Sequence, residues 1–173
     1  ARTLSAKCPI PGIQAAELYA ILIALTEQPP EAPVIIYSDS LSSLYILEDI
    51  ETNLKDPNMT TYWPILQHTY HQLLQRRADT LLQKVPAHKG ITGNERADRA
   101  AKQGTTQPNY TLDISNIPPK PLDPKYDDHL SSPYLTLISP QGPSQDEEDT
   151  PQRTSLPNLL TPQDAYYRSL QLS

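Results

Sequence analysis

Three acidic residues stand apart from the chain around them. Glu17 is the only charged residue between Lys7 and Glu27, within a run that is otherwise almost entirely apolar. A carboxylate in such a helix is costly unless a cation or several hydrogen-bond donors meet it. Asp39 follows Val34-Ile35-Ile36-Tyr37, which places it at the carboxyl end of a buried strand, the edge where open α/β sheets hold their ligands. Asp98 falls in the first turns of a helix whose neighbours Ala97, Ala100 and Ala101 permit close approach to a sheet. The chemistry the three share is charge pairing with a cation. Each also has a plainer account: an exposed flank for Glu17, an N-cap for Asp39, complementarity to the helix dipole for Asp98.

Their joint occurrence with one further segment is what separates these accounts. Val85-Pro86-Ala87-His88-Lys89-Gly90-Ile91-Thr92-Gly93-Asn94-Glu95-Arg96-Ala97-Asp98 places a histidine ten residues before an aspartate, with Gly-Asn-Glu-Arg-Ala-Asp closing the run. Together with Gln14-Ala15-Ala16-Glu17-Leu18 and Ile36-Tyr37-Ser38-Asp39-Ser40, it closely resembles the type 1 ribonuclease H family, especially the domains attached to retrotransposon reverse transcriptases. The resemblance covers about residues 1 to 103.

The resemblance implies cleavage of the RNA strand of an RNA/DNA hybrid by two-metal-ion hydrolysis, the general logic of phosphodiester cleavage. Hard oxygen ligands and phosphate favour two Mg²⁺ ions, with Mn²⁺ a substitute. By matched motif, Glu17, Asp39 and Asp98 are the family's second, third and fourth metal-binding carboxylates, and His88 assists proton transfer or product release. The family's first carboxylate belongs to an Asp-Gly motif on the first strand. Residues 1–16 contain no Asp or Glu, so the first strands are expected to be missing and the chain alone inactive. An upstream reverse transcriptase in the same polyprotein is the expected covalent partner. The alternative is a non-catalytic remnant that binds nucleic acid or protein weakly. Hybrids are recognised through groove shape, phosphates and 2′-hydroxyls. Gln14, Ser40, Ser43 and Asn94 are the candidate contacts. Arg76, Arg77, Lys84 and Lys89 suit either phosphate tracking or an ordinary solvated face, and His68 and His71 lack a third ligand for a metal.

These residues need a layered scaffold. Apolar positions 15, 18, 22 and 25, with 19, 21 and 23, predict a helix from Gln14 to Thr26 buried on most of its circumference, ended by Pro29, Pro30 and Pro33. Val34 to Tyr37 predicts a strand covered on both faces. Ser38-Asp39-Ser40 caps a helix through Leu47. A polar loop around Asp56-Pro57-Asn58 precedes a helix opened by Thr60 or Thr61, with Pro64 in its first turn and an end near Arg77. Thr80 to Val85 predicts a second strand. Gly93-Asn94 opens a last helix that Gly104 is expected to terminate. The fold class is α/β, a ribonuclease H-like mixed sheet flanked by helices and lacking the first strands.

The 173 residues divide by composition. Residues 1–104 carry 10 Lys or Arg against 11 Asp or Glu, and 8 prolines; residues 105–173 carry 4 against 9, with 11 prolines. The first part is expected to be the partial domain and the second a disordered Pro-rich acidic tail. Within it, Tyr134 to Ile138 suits a short strand and Asp164 to Leu172 a brief helix. The net charge of −6 argues against nucleic acid only until the charge is seen to concentrate in the tail. The longest apolar run, Leu18 to Leu25, is too short to span a bilayer, and one cysteine excludes an internal disulfide. An intracellular location, cytoplasmic or nuclear, is expected.

Overall fold

The computed structural model describes residues 3–87, 89–116, 135–138 and 164–165. In chain order the elements are α1 (Ile13–Glu27), β1 (Val34–Ser38), α2 (Leu41–Glu48), α3 (Ile50–Lys55), a 3₁₀ turn (Pro57–Tyr62), α4 (Trp63–Gln75), β2 (Thr80–Lys84), α5 (Thr92–Thr106), β3 (Leu135–Leu137) and β4 (Asp164–Ala165). This is an α/β fold built on a small parallel sheet, with spatial order β3-β2-β1-β4.

The centre is the β1–β2 pair, aligned from Val34 opposite Thr80 to Ser38 opposite Lys84. All five residues of β1 are buried, as expected of a strand covered on both faces. Alternation sends Val34, Ile36 and Leu82 to the main core, where α1 and α4 lie, and Ile35, Tyr37, Leu81 and Val85 to a smaller cluster on the other face. From Leu18 to Leu25 every residue of α1 is buried. Its lack of a polar stripe thus reflects a position inside the molecule rather than on its surface. Among the described residues, no helix is long and apolar enough to cross a membrane.

Several boundaries differ from the sequence expectation. The segment read as a polar loop contains α3, which anchors itself through Ile50 and Leu54, one turn apart and both buried. The 3₁₀ turn delays α4 to Trp63, and Pro64 sits in its first turn without lost hydrogen bonds. Gly104 does not end α5. The helix continues to Thr106, and Gly104 is buried within it where a Cβ would collide with the backbone of Ala6.

The expected tail boundary also moves. Residues 107–116 pack against the domain as a strap. Asn109 and Tyr110 both donate backbone N–H groups to Ser5 O (2.8 and 3.1 Å), and Ser5 N donates to Asn109 Oδ1 at 2.7 Å. The Tyr110 hydroxyl donates to Glu27 Oε1 at 2.6 Å. Tyr19 donates its hydroxyl to Leu112 O at 2.8 Å and accepts from Leu112 N at 3.1 Å. Ile114 is buried in the main core. A Pro-rich, acidic composition does not prevent order where three apolar residues find a formed surface. Further on, Leu135–Leu137 pairs in parallel with β2, matching the short strand read there, while Asp164–Ala165 pairs with β1 where a helix start was expected. Residues 166–172 of that expected helix, and the rest of the proposed tail, lie outside the described residues.

Arg76 is 3% exposed, so it is not available to track phosphates. Its guanidinium donates to Thr80 Oγ1 (3.0 Å), Pro29 O (2.8 Å) and Ala32 O, pinning the loop before β1 to the start of β2. Burial lowers its pKa, opposed by Glu31. Cys8 is fully buried, and burial pushes its thiol up to about 11, which leaves no thiolate for nucleophilic chemistry at neutral pH.

Candidate functional site

The site is a corner where three elements begin or end. Asp39 directly follows β1 and is half-buried. Ser40 then caps α2, its hydroxyl accepting from Ser43 N at 3.3 Å. The cap forms because Ser40 is extended while its side chain is short enough to reach back to the first turn.

Two other helices reach this corner with amides. From α1, Gln14 donates through Nε2 to Ser43 Oγ at 2.6 Å and accepts from Ser42 Oγ at 2.7 Å. The Ser40 and Ser43 hydroxyls are 2.7 Å apart, which closes a network of four side chains. From α5, Asn94 donates through Nδ2 to Asp39 Oδ2 at 3.2 Å. Asn94 is 2% exposed. An amide so placed orients a carboxylate, and that is a different role from the nucleic-acid contact expected of it.

The remaining carboxylates follow from these anchors. Glu17 lies one turn beyond Gln14 on α1, and Asp98 one turn beyond Asn94 on α5; both are half-buried. Residues at i and i+3 or i+4 share a helix face. Each of the three carboxylates is therefore held within one turn of the same corner. Among the described residues, no three His, Cys, Asp or Glu side chains form a group that could hold a metal ion. The donor chemistry is hard oxygen and suits a divalent ion, but the arrangement falls short of a cage. His88 lies outside the described residues.

Ser42 was missed by sequence reasoning. It is exposed and completes the Gln14 contact; the signal was the Ser40-x-Ser42-Ser43 spacing, which puts three hydroxyls on the first turn of one helix. Of the other residues considered, Lys84 and Lys89 are half-exposed and exposed. Arg77 turns its guanidinium back on the carbonyls that end α4. His71 faces Gln75 at 2.9 Å. His68 is turned to the backbone of Ile114 and Asn116 in the strap, and burial lowers its pKa. Neither histidine belongs to a metal group.

Ser43, expected as a nucleic-acid contact, is fully buried and serves only the network; the corner presents the Ser40 and Ser42 hydroxyls and the Gln14 amide next to an oriented carboxylate. That is a surface for a polar, phosphate-bearing ligand. A family model described as RNase H matches residues 2–106. No solved structure matches the chain.

Proposed function

The chain belongs to the RNase H family, and from that premise we propose that it is the RNA/DNA-hybrid ribonuclease domain of a retroelement polyprotein, linked there to a reverse transcriptase and acting inside the cell. The observation that carries this reading is the Asp39 corner. The residues whose motifs carry the family resemblance meet at one corner through two hydrogen-bonded sets, Gln14 with Ser40 by way of Ser43, and Asn94 with Asp39, the two joined by the adjacency of Asp39 and Ser40 in the chain. In this reading Gln14, Ser40 and Ser42 bind the backbone of the hybrid, which is read by shape and 2′-hydroxyls rather than by base sequence.

RNase H domains generally use divalent metals. The ions assigned here are two Mg²⁺, replaceable by Mn²⁺, with Glu17, Asp39 and Asp98 as ligands on the strength of their hard-oxygen chemistry. Such ions would supply Lewis-acid and water-activating chemistry. Among the described residues the three carboxylates do not form a metal-holding group, and the family resemblance implies a fourth. What these residues do themselves is more limited: Asn94 holds the Asp39 carboxylate in one orientation, and the serine–glutamine network presents donors beside it.

That shortfall in ligands is the specific observation favouring a second reading, a non-catalytic remnant that binds hybrid weakly. One experiment separates the two. The full chain is titrated with a labelled RNA/DNA hybrid, then assayed for cleavage with Mg²⁺ both alone and in a version extended by the first strands of a related domain. The expected results are salt-dependent hybrid binding, negligible cleavage by the unextended chain, and cleavage by the extended one that Asp39→Asn abolishes without unfolding it. Binding without cleavage in the extended protein establishes the remnant. Absence of hybrid binding in both proteins overturns both readings.

A further inference from the structure

The strand β3 comes from well beyond the family-matched region, yet it is fitted to the edge of the sheet along β2. Its register is fixed: Leu135 lies opposite Thr80, Thr136 opposite Leu81 and Leu137 opposite Leu82, in parallel. Ile138 N extends the pairing with a 2.8 Å bond to Leu82 O. The side chains follow the pleat. Leu135 and Leu137 pack on the main core, Thr136 is exposed, and Ile138 joins the opposite cluster with Ile35, Tyr37, Leu81, Val85 and Ile91. The strand also lies against α2. Without it the outer edge of β2 would present unpaired backbone groups beside apolar side chains, which is a template for pairing with an extended chain.

We propose that the outer edge of β2, with the adjoining flank of α2, is a docking groove for an extended apolar peptide, and that Leu135–Ile138 is its tethered, exchangeable ligand. The chemistry recognised is an uncharged stretch with leucine-sized side chains two residues apart, followed by a β-branched residue, running parallel to β2. Main-chain bonds supply the attraction, and the pockets for alternate side chains supply selectivity. A charge at position 135 or 137 would be half-buried against the apolar side chains of the main core, which disfavours acidic or basic peptides. The occupant is short: four residues, with three of their side chains only half-buried. Tethering compensates for this. A strand held beside its own groove experiences an effective concentration on the order of 1 mM, so an intrinsic Kd of roughly 0.1 mM keeps it about nine-tenths docked. Such a ligand leaves often, and a matching peptide in trans can take its place.

The test uses the full chain and a fluorescent synthetic peptide corresponding to residues 132–140. Leu135→Asp with Leu137→Asp removes the tethered ligand and leaves the groove intact. This variant is expected to bind the peptide saturably and about tenfold more tightly than the unaltered chain, where the docked strand competes. The same peptide carrying both aspartates should bind neither protein. In a second arm a protease site is inserted between Pro124 and Lys125, the purified chain is cut, and peptide binding by the cut chain is measured at micromolar protein. Cutting removes the tether, so the cut chain is expected to bind the peptide about as tightly as the double-aspartate variant does. A concentration-dependent dimer of the cut or uncut chain, in which one copy's strand fills the other's groove, supports the same assignment. Equal peptide binding by variant and unaltered chain overturns the proposal, as does no binding by either, or a cut chain that binds the peptide no better than the uncut one.

Discussion

Gly104→Ala offers a test of sign, because two effects of known size oppose each other at one atom. In the interior of a helix, replacing glycine by alanine stabilises by about 1 kcal/mol, since the backbone has less freedom to lose. At Gly104 the added Cβ would lie 2.9 Å from Ala6 N and 3.0 Å from Ala6 C, and closer still to Ala6 O. Ordinary carbon contacts lie at about 3.5 Å or more. The obstacle is backbone, so no side chain can swing away; either α5 or the Thr3–Cys8 segment must move. Thr3–Cys8 is in turn held by the strap, through Ser5 to Asn109 and Tyr110, so moving it disturbs a second contact. Overpacking of this kind costs about 1–3 kcal/mol, and the backbone contact places it at the upper end. The expected net result is destabilisation by about 2 kcal/mol, or roughly 8 °C in Tm for a domain of this size. Urea denaturation followed by circular dichroism gives the value directly. An unchanged or raised midpoint would mean that α5 does not approach Ala6, and the packing described for the last helix would be wrong.

Three further outcomes follow from the same geometry. Arg76→Ala should destabilise by about 3 kcal/mol in denaturant titration, since it leaves Pro29 O, Ala32 O and Thr80 Oγ1 without their donor; a loss under about 1 kcal/mol would show that the guanidinium is not seated. Asn94→Ala should cost about 1 kcal/mol, and a double-mutant cycle with Asp39→Ala should return a coupling of similar size, whereas full additivity would deny the Asn94–Asp39 bond. Burial holds His68 below 6.5, against opposing effects of the Ile114 and Asn116 backbone and Asp113, with His71 adding to the lowering. The unfolded chain therefore binds the proton first, so stability is full above about pH 6.5 and falls as pH drops through the folded value. The denaturation midpoint should decline from about pH 6.5 toward 5, and His68→Gln should flatten that slope; an identical slope in the variant counts against the assignment.

What could be read from the residues alone depended on how far each signal reached. The apolar circumference of α1 and the β-branched run of β1 are local patterns, and both elements form where those patterns place them. The Leu-x-Leu-Ile run of β3 was legible in the same way. Gly104 was misread because a glycine near a helix end is a stop signal by habit of sequence, while its real partner, Ala6, is 98 positions away. Residues 107–116 were assigned to the tail on proline and charge content. A finer signal was present: Tyr110, Leu112 and Ile114 alternate with Thr111, Asp113 and Ser115, the period of a half-buried extended segment. At the site, the motif spacing named residues that the fold places at one corner, but it could not show that Asn94 faces Asp39. Two residues 55 positions apart carry no mark of their contact.

The strap also imposes an order of events on a chain made from its N-terminus. Ser5 is bonded to Asn109, 104 positions later, and Tyr19, in the middle of the most buried helix, completes its hydroxyl bonds only with Leu112. At a synthesis rate of about 5–20 residues per second, α1 exists for roughly 5–20 s before the segment that covers it has been made. Throughout that interval the unbroken apolar stretch from Leu18 to Leu25 has none of its late partners. The helices α2 and α4 reach α1 earlier in synthesis, so residues 109–114 are the last part of its cover, and until they arrive the Tyr19 hydroxyl lacks its Leu112 partner.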